Sequence, residues 1–208
     1  LGKTAYDAIM MRWKGKRIAI LGERGVGKSH LHSFLTTGTI PEEYIQTAGA
    51  QKTKANHLKI TDLNLRIKDS RDVGGDITNY ISWEKILQEA DIVIYLVNVA
   101  KCMQKDEVTL KRLDQDADQI GEWLGAKMRS GEKFPCIVVG THLDVHFPRY
   151  FSLPPTEVEE LETQIRTSVD FKKVARNLGG NGTPVVVGSM ANQEATARMV
   201  VRIFKSIA

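Results

Sequence analysis

Gly22, Gly27, Lys28 and Ser29 stand at the spacing G-x-x-x-x-G-K-S/T, with Glu23, Arg24, Gly25 and Val26 between them. Glycines let a backbone take positive φ and bring several N–H groups close to one anion. A helix opening at Lys28 adds the partial positive charge of its N-terminus, with the His30 N–H inside its first turn. Lys28 would reach the β- and γ-phosphates of a nucleoside triphosphate and act on the transferring group, and the Ser29 hydroxyl would hold Mg²⁺. A chance glycine-rich turn is the alternative. The flanks argue against it: Arg17-Ile18-Ala19-Ile20-Leu21 reads as a buried strand, and His30-Leu31-His32-Ser33-Phe34-Leu35 continues a helix.

Asp72-Val73-Gly74-Gly75 is a second phosphate-site pattern. Its aspartate can bind Mg²⁺ through water, and the Gly75 N–H can approach a γ-phosphate unobstructed. D-x-x-G alone is common. After a strand and downstream of a phosphate loop it gains meaning.

These residues need a scaffold. Candidate strands cover 17–21, 57–61, 63–68, 91–98, 135–140 and 183–188, with Asp62 turning the second back into the third. The last three are rich in Val, Ile and Leu, as strands covered on both faces are. Helices are expected at 28–37, 82–89, 106–129 and 193–207. The alternation predicts an α/β fold, six strands in a mostly parallel sheet with helices on both faces. Ligands of such folds bind beyond the carboxyl ends of the strands, where each motif falls. Residues 146–182 read as a helical insertion. Pro148, Pro154 and Pro155 break structure, Thr156-Glu157-Val158-Glu159 matches a capping box, and one amphipathic helix runs to about Leu178 before Gly179-Gly180-Asn181-Gly182.

Asp72-Val73-Gly74-Gly75, with Trp83 eleven residues after Asp72, resembles the same stretch in ADP-ribosylation factors. With the phosphate loop, it makes residues 16–207 similar to the small GTPases of the Ras superfamily. The resemblance implies a Ras-like G domain and a GTP/GDP switch whose mobile loops bind regulators and effectors. It also implies a switch threonine over Mg²⁺. Thr47 lies nineteen residues after Lys28 with Tyr44 before it, and Thr47-Ala48-Gly49 resembles the T-x-G of Rab proteins; Thr36, Thr37, Thr39 and Thr53 compete.

In the family N-K-x-D closes the fifth strand. Here Thr141-His142-Leu143-Asp144 stands in its place. A carboxylate fits guanine, whose N1 and exocyclic amine both donate, and does not fit adenine. Thr-His-Leu-Asp resembles the Roc domains of leucine-rich-repeat kinases. That likeness implies that His142 lies flat over the base and that the Thr141 hydroxyl ties the base loop to the phosphate loop. It also raises a homodimer and a larger parent protein, and the chain begins at Leu1, as an excised domain would. Ser189-Met190-Ala191 resembles S-A-K, whose backbone N–H meets guanine O6.

Hydrolysis is expected to be slow. Asp76 stands where many members carry the glutamine that orients water, and a carboxylate repels the γ-phosphate and cannot donate to it. Asp76 acting as a local base, or facing solvent, remains open. Arg24 can obstruct an incoming arginine finger, lie over the phosphates itself, or face solvent. A scaffold that holds nucleotide without turnover is therefore the alternative to a GTPase.

The net charge of +4 resides in residues 1–17, where Lys3, Arg12, Lys14, Lys16 and Arg17 face Asp7; the rest carries 24 basic and 24 acidic residues. Residues 1–16 form a basic amphipathic segment with Ala5, Ile9, Met10 and Trp13 on its apolar side. It would lie on an anionic membrane surface or a partner, or pack on its own domain, residues 17–208. No basic–aromatic stripe suggests nucleic acid. No apolar run has membrane-spanning length, and the two cysteines, Cys102 and Cys136, read as reduced thiols of a cytoplasmic protein.

Overall fold

The computed structural model describes residues 13–40, 66–69 (backbone only), 80–128 and 134–207. Among the described residues five strands form one sheet in the order β2-β1-β3-β4-β5: β1 Arg17–Gly22, β2 Arg66–Asp69, β3 Ile92–Asn98, β4 Cys136–Thr141 and β5 Val185–Val187. Every pairing among them is parallel. The expected strand at 57–61 and its hairpin at Asp62 lie outside the described residues, as do residues 63–65 of the next. What is described of that element, β2, runs beside β1 with Arg17 opposite Arg66.

The period of two sorts the strand residues onto two faces. Ile18, Ile20, Ile92, Ile94, Leu96, Ile137 and Val139 pack on one side with α1 (Lys28–Thr37) and α8 (Gln193–Ser206). Ala19, Leu21, Val93, Tyr95, Val97 and Val138 pack on the other with α2 (Tyr80–Glu89), α4 (Glu107–Lys127) and α7 (Val169–Gly179). Both faces of β3 are buried up to Val97, which explains its unbroken apolar sequence. Two short helices were not anticipated: α3 (Val99–Met103), capped by Asn98, and α5 (Leu143–His146).

The stretch 146–182 departs from the sequence reading. It holds two helices, α6 (Pro155–Arg166) and α7, separated by Thr167 and Ser168. Helix α6 starts at Pro155, whose fixed φ suits the first helical position, and not at the Thr156 capping box. The break has a packing reason. Ile165 and Phe171 are both buried, yet six residues along one straight helix they would point about 120° apart. Breaking the helix turns both inward.

Cys102 and Cys136 are free and buried, and burial pushes both thiols up to about 12. No helix of the described residues is long and apolar enough to cross a membrane.

Candidate nucleotide site

In the sheet order, β1 has β2 on one side and β3 on the other, so the strand order reverses there. Such a switch point opens a crevice. β1 runs there into Gly22, with φ 140°, where an added Cβ would sit 2.5 Å from the Leu96 carbonyl oxygen of β3. Only glycine lets the loop leave the sheet so close to its neighbour. Gly27, in the left-handed region, ends the loop and caps α1. Lys28 is buried, and its ammonium donates to the carbonyls of Gly22 (2.8 Å) and Glu23 (2.7 Å). A cation is thereby fixed at the neck of a loop that ends on a helix N-terminus.

Ser29 is half-buried in the first turn of α1. The His30 ring is buried and turned toward α8, with Nε2 3.2 Å from Thr196 Oγ1. The single Thr196 hydroxyl proton is claimed by the carbonyl of Asn192 (2.8 Å) or Met190 (3.1 Å), so His30 Nε2 donates. The ring is thus a strut between α1 and α8. Burial lowers the His30 pKa, and the nearby His142 lowers it further.

At the end of β4, Thr141 is buried with Oγ1 3.0 Å from the Val26 carbonyl, 3.2 Å from that of Val97 and 2.8 Å from His142 Nδ1. One hydroxyl carries one proton. When it goes to Val26, the oxygen accepts from His142 Nδ1–H, and the base loop is tied to the phosphate loop as the threonine suggested. His142 holds a left-handed backbone (φ 62°), and burial lowers its pKa, against the raising effect of Asp144. Asp144 lies half-buried in the first turn of α5. The Leu143 N–H donates to the Gly188 carbonyl (3.3 Å), and the Gly188 N–H donates to Gly140 (3.0 Å). Ser189 and Met190 follow, both buried. Ser189 Oγ accepts from the Ala191 N–H, and Met190 Cε lies 2.8 Å from where a Gly27 Cβ would be. Met190 therefore supports the phosphate loop from beneath.

The structure thus gathers Glu23, Gly25, Val26, Gly27, Lys28, Ser29, Thr141, His142, Asp144, Ser189 and Met190 around the ends of β1, β4 and β5. Arg24 is exposed. Thr47, Asp72, Gly75 and Asp76 lie outside the described residues. Two contributors escaped the sequence reading. Lys101 of α3 pairs with Glu23 at 3.4 Å, and Thr196 receives His30. Lys101 follows the end of β3, the position that marked the other loops. No local pattern announces Thr196. Among the described residues no three His, Cys, Asp or Glu side chains converge on a metal site. Ser29, a hydroxyl on the first turn after the fixed lysine, fits the Mg²⁺ position of a phosphate loop.

The sequence model of the Ras family matches residues 17–176. The chain belongs to the Ras family. That membership makes it a small GTP-binding domain with a guanine nucleotide as its ligand class. No curated protein matches the sequence. Among solved structures, the chain is similar to an ADP-ribosylation factor-like GTP-binding protein, the small COPII coat GTPase SAR1 of Encephalitozoon cuniculi in complex with GDP. The TM-score is 0.50 at 15% identity, covering 98% of this chain and 84% of that one. A GTP-binding protein of Sulfolobus solfataricus in complex with GDP matches with TM-score 0.45 at 13% identity, over 99% of this chain and 55% of that one. At these identities the first likeness speaks for the Ras fold alone. The Ras-family fold agrees with the parallel sheet and the phosphate loop after β1.

Proposed function

We propose that this Ras-family domain is a GTP/GDP switch that holds the base with Thr141, His142, Asp144 and the Ser189–Met190 loop. In this reading the phosphates lie along Glu23–His30, and Mg²⁺ is held by Ser29, Thr47 and Asp72. The observation that supports it is the Thr141–Val26 hydrogen bond, which joins the loop that bears Asp144 to the glycine-rich loop. Lys28, Thr47 and Gly75 would stabilise charge on the transferring phosphoryl group. Asp76 in place of glutamine favours slow hydrolysis. The output would be partner binding through loops that order around GTP, in the cytoplasm, with a Roc-like parent protein and homodimer as further parts of the reading.

The test is binding of ribose-labelled GDP, then competition. Excess GTP should displace the label and excess ATP should not; displacement by ATP would overturn the assignment of Asp144. A second reading, a scaffold that keeps nucleotide without turnover, is favoured by the same Asp76. Single-turnover hydrolysis with Mg²⁺ separates the two: slow phosphate release supports the switch, and none over many hours supports the scaffold.

A further inference from the structure

Beneath the Ser189–Met190 loop lies a buried polar cluster built partly from the 146–182 stretch. Tyr150 donates its hydroxyl to Glu162 Oε1 at 2.6 Å. Glu162, on α6, is 3% exposed and pairs through Oε2 with Arg202 of α8. Arg202 Nη1 donates in turn to the Val187 carbonyl at 3.1 Å, at the last residue of β5. The chain of contacts therefore ends one residue before Gly188. A Cβ at Gly188 would meet Met199 Cε at 2.8 Å, with Glu162 Oε1 and the Tyr150 hydroxyl each 3.5 Å away. Gly188 itself is bonded to Gly140 and Leu143, on both sides of the Thr141–Asp144 loop's start. Three elements distant in sequence thus press on the one residue that joins the two base-side loops.

A buried carboxylate is costly to hold unless its charge and lone pairs are met. Glu162 meets both needs, with an arginine on one oxygen and a phenol on the other. Each partner is itself held: Arg202 is bound to the Val187 carbonyl, and Tyr150 is buried. Were the cluster serving stability alone, apolar residues of like volume would do as well. Its placement gives it a different consequence: α6 and α8 stand against Val187 and Gly188, the residues that lead into Ser189 and Met190.

We infer that Tyr150, Glu162 and Arg202 are positioning residues for base recognition, holding the Ser189–Met190 amides where a guanine O6 is read. This rests on the nucleotide reading above. It adds that the α6 helix, which supplies Glu162, sets how tightly the base is held.

Tyr150→Phe removes one hydroxyl and keeps the ring, so it tests the cluster without emptying the core; Glu162→Gln keeps the shape and removes the charge. Both are compared with the parent chain in dissociation of ribose-labelled GDP and in competition by GDP, IDP and 6-thio-GDP. IDP lacks the exocyclic amine and so reports Asp144. 6-thio-GDP replaces O6 with a weaker acceptor and so reports the Ser189–Met190 loop. Loss of one hydrogen bond's worth of positioning should speed GDP release about fivefold and shrink the preference for GDP over 6-thio-GDP by a similar factor, with the preference over IDP unchanged. In nucleotide-free protein, amide hydrogen exchange at Gly188 to Met190 should quicken. Unchanged release, a parallel loss for all three nucleotides, or unchanged exchange at these amides would each overturn the proposal. A parent chain that does not retain GDP would instead overturn the nucleotide reading, and this inference with it.

Discussion

Thr141 Oγ1 donates to the Val26 carbonyl across 3.0 Å, joining two loops whose residues are 115 apart in sequence. The bond is buried, so its loss leaves an acceptor that water does not readily reach. Thr141→Val keeps the shape and removes the hydroxyl. It should cost about 1–3 kcal/mol of stability, the range for a buried polar group left unmet. Thr141→Ser should keep most of it. Denaturant unfolding of both variants checks the difference, and equal losses would show that the methyl and not the hydroxyl matters. Ribose-labelled GDP should also leave Thr141→Val faster, because the two loops that contact base and phosphate lose their direct tie.

Gly22 and Gly25 sit in the same loop and should tolerate alanine unequally. Both have positive φ, 140° and 80°. At Gly22 the new methyl would lie 2.5 Å from the Leu96 carbonyl oxygen, which belongs to a central strand and cannot withdraw. At Gly25 a methyl meets nothing within 4 Å. Gly25→Ala should therefore cost only the backbone preference, about 1–2 kcal/mol. Gly22→Ala adds a backbone clash and should cost more than about 3 kcal/mol or prevent folding. Thermal melting separates them, and a Gly22→Ala protein as stable as Gly25→Ala would contradict the loop geometry described.

The phosphate loop, α1 and the buried strands β3 and β4 were legible because each rests on a local signal: fixed glycine spacing, or an unbroken apolar run of strand length. The Thr141–Asp144 loop was legible because it ends such a run. The break between α6 and α7 was not. The residues on either side have helical composition, and the reason for the break is that Ile165 and Phe171 must enter one core, a tertiary demand. The start of α6 offered two local signals, the capping box at Thr156 and the proline at Pro155, and the backbone follows the proline. Glu162 illustrates the same limit. It sits among Glu157, Glu159 and Glu160, and nothing in that run marks the one carboxylate that goes inside to meet Arg202. The pairing of Lys101 with Glu23, likewise, is made by β3 ending beside β1.

His30 and His142 should make stability depend on pH in the mildly acidic range. Burial lowers both, Lys101 and His142's own charge act in the same direction on their neighbours, and Asp144 opposes only at His142. With folded values below the ordinary 6.5, the unfolded chain takes up protons first as pH falls. The stability contribution is whole above about pH 7 and declines as pH drops through 6.5 toward the folded values. His30→Gln should flatten that decline. Melting temperatures between about pH 8 and pH 5 measure it, and a slope unaltered in His30→Gln would show that this ring is not responsible.

Asp116 anchors the opposite face of the sheet. It is fully buried on α4 and accepts from the Tyr80 hydroxyl of α2 (2.7 Å), the Tyr95 hydroxyl of β3 (2.9 Å) and Arg112 Nε (2.6 Å). The Arg112 guanidinium also lies over the rings of Tyr80 and Trp83, at 5.3 and 5.7 Å. Burial raises the Asp116 pKa, and the three donors pull it back, so the carboxylate depends on them. Removing Arg112 alone, as in Arg112→Met, should cost about 3–5 kcal/mol because the buried charge loses its main counter-charge. Asp116→Asn should cost a similar amount from the other side. The double variant should fall short of the sum by at least about 1 kcal/mol, since once the pair is gone neither charge is left to penalise. It should not return to the parent stability, because an amide at Asp116 meets the two phenols and the arginine-free space less well than the carboxylate did. Denaturant unfolding of the four proteins gives the coupling directly. Additive losses would mean that Arg112 and Asp116 act independently.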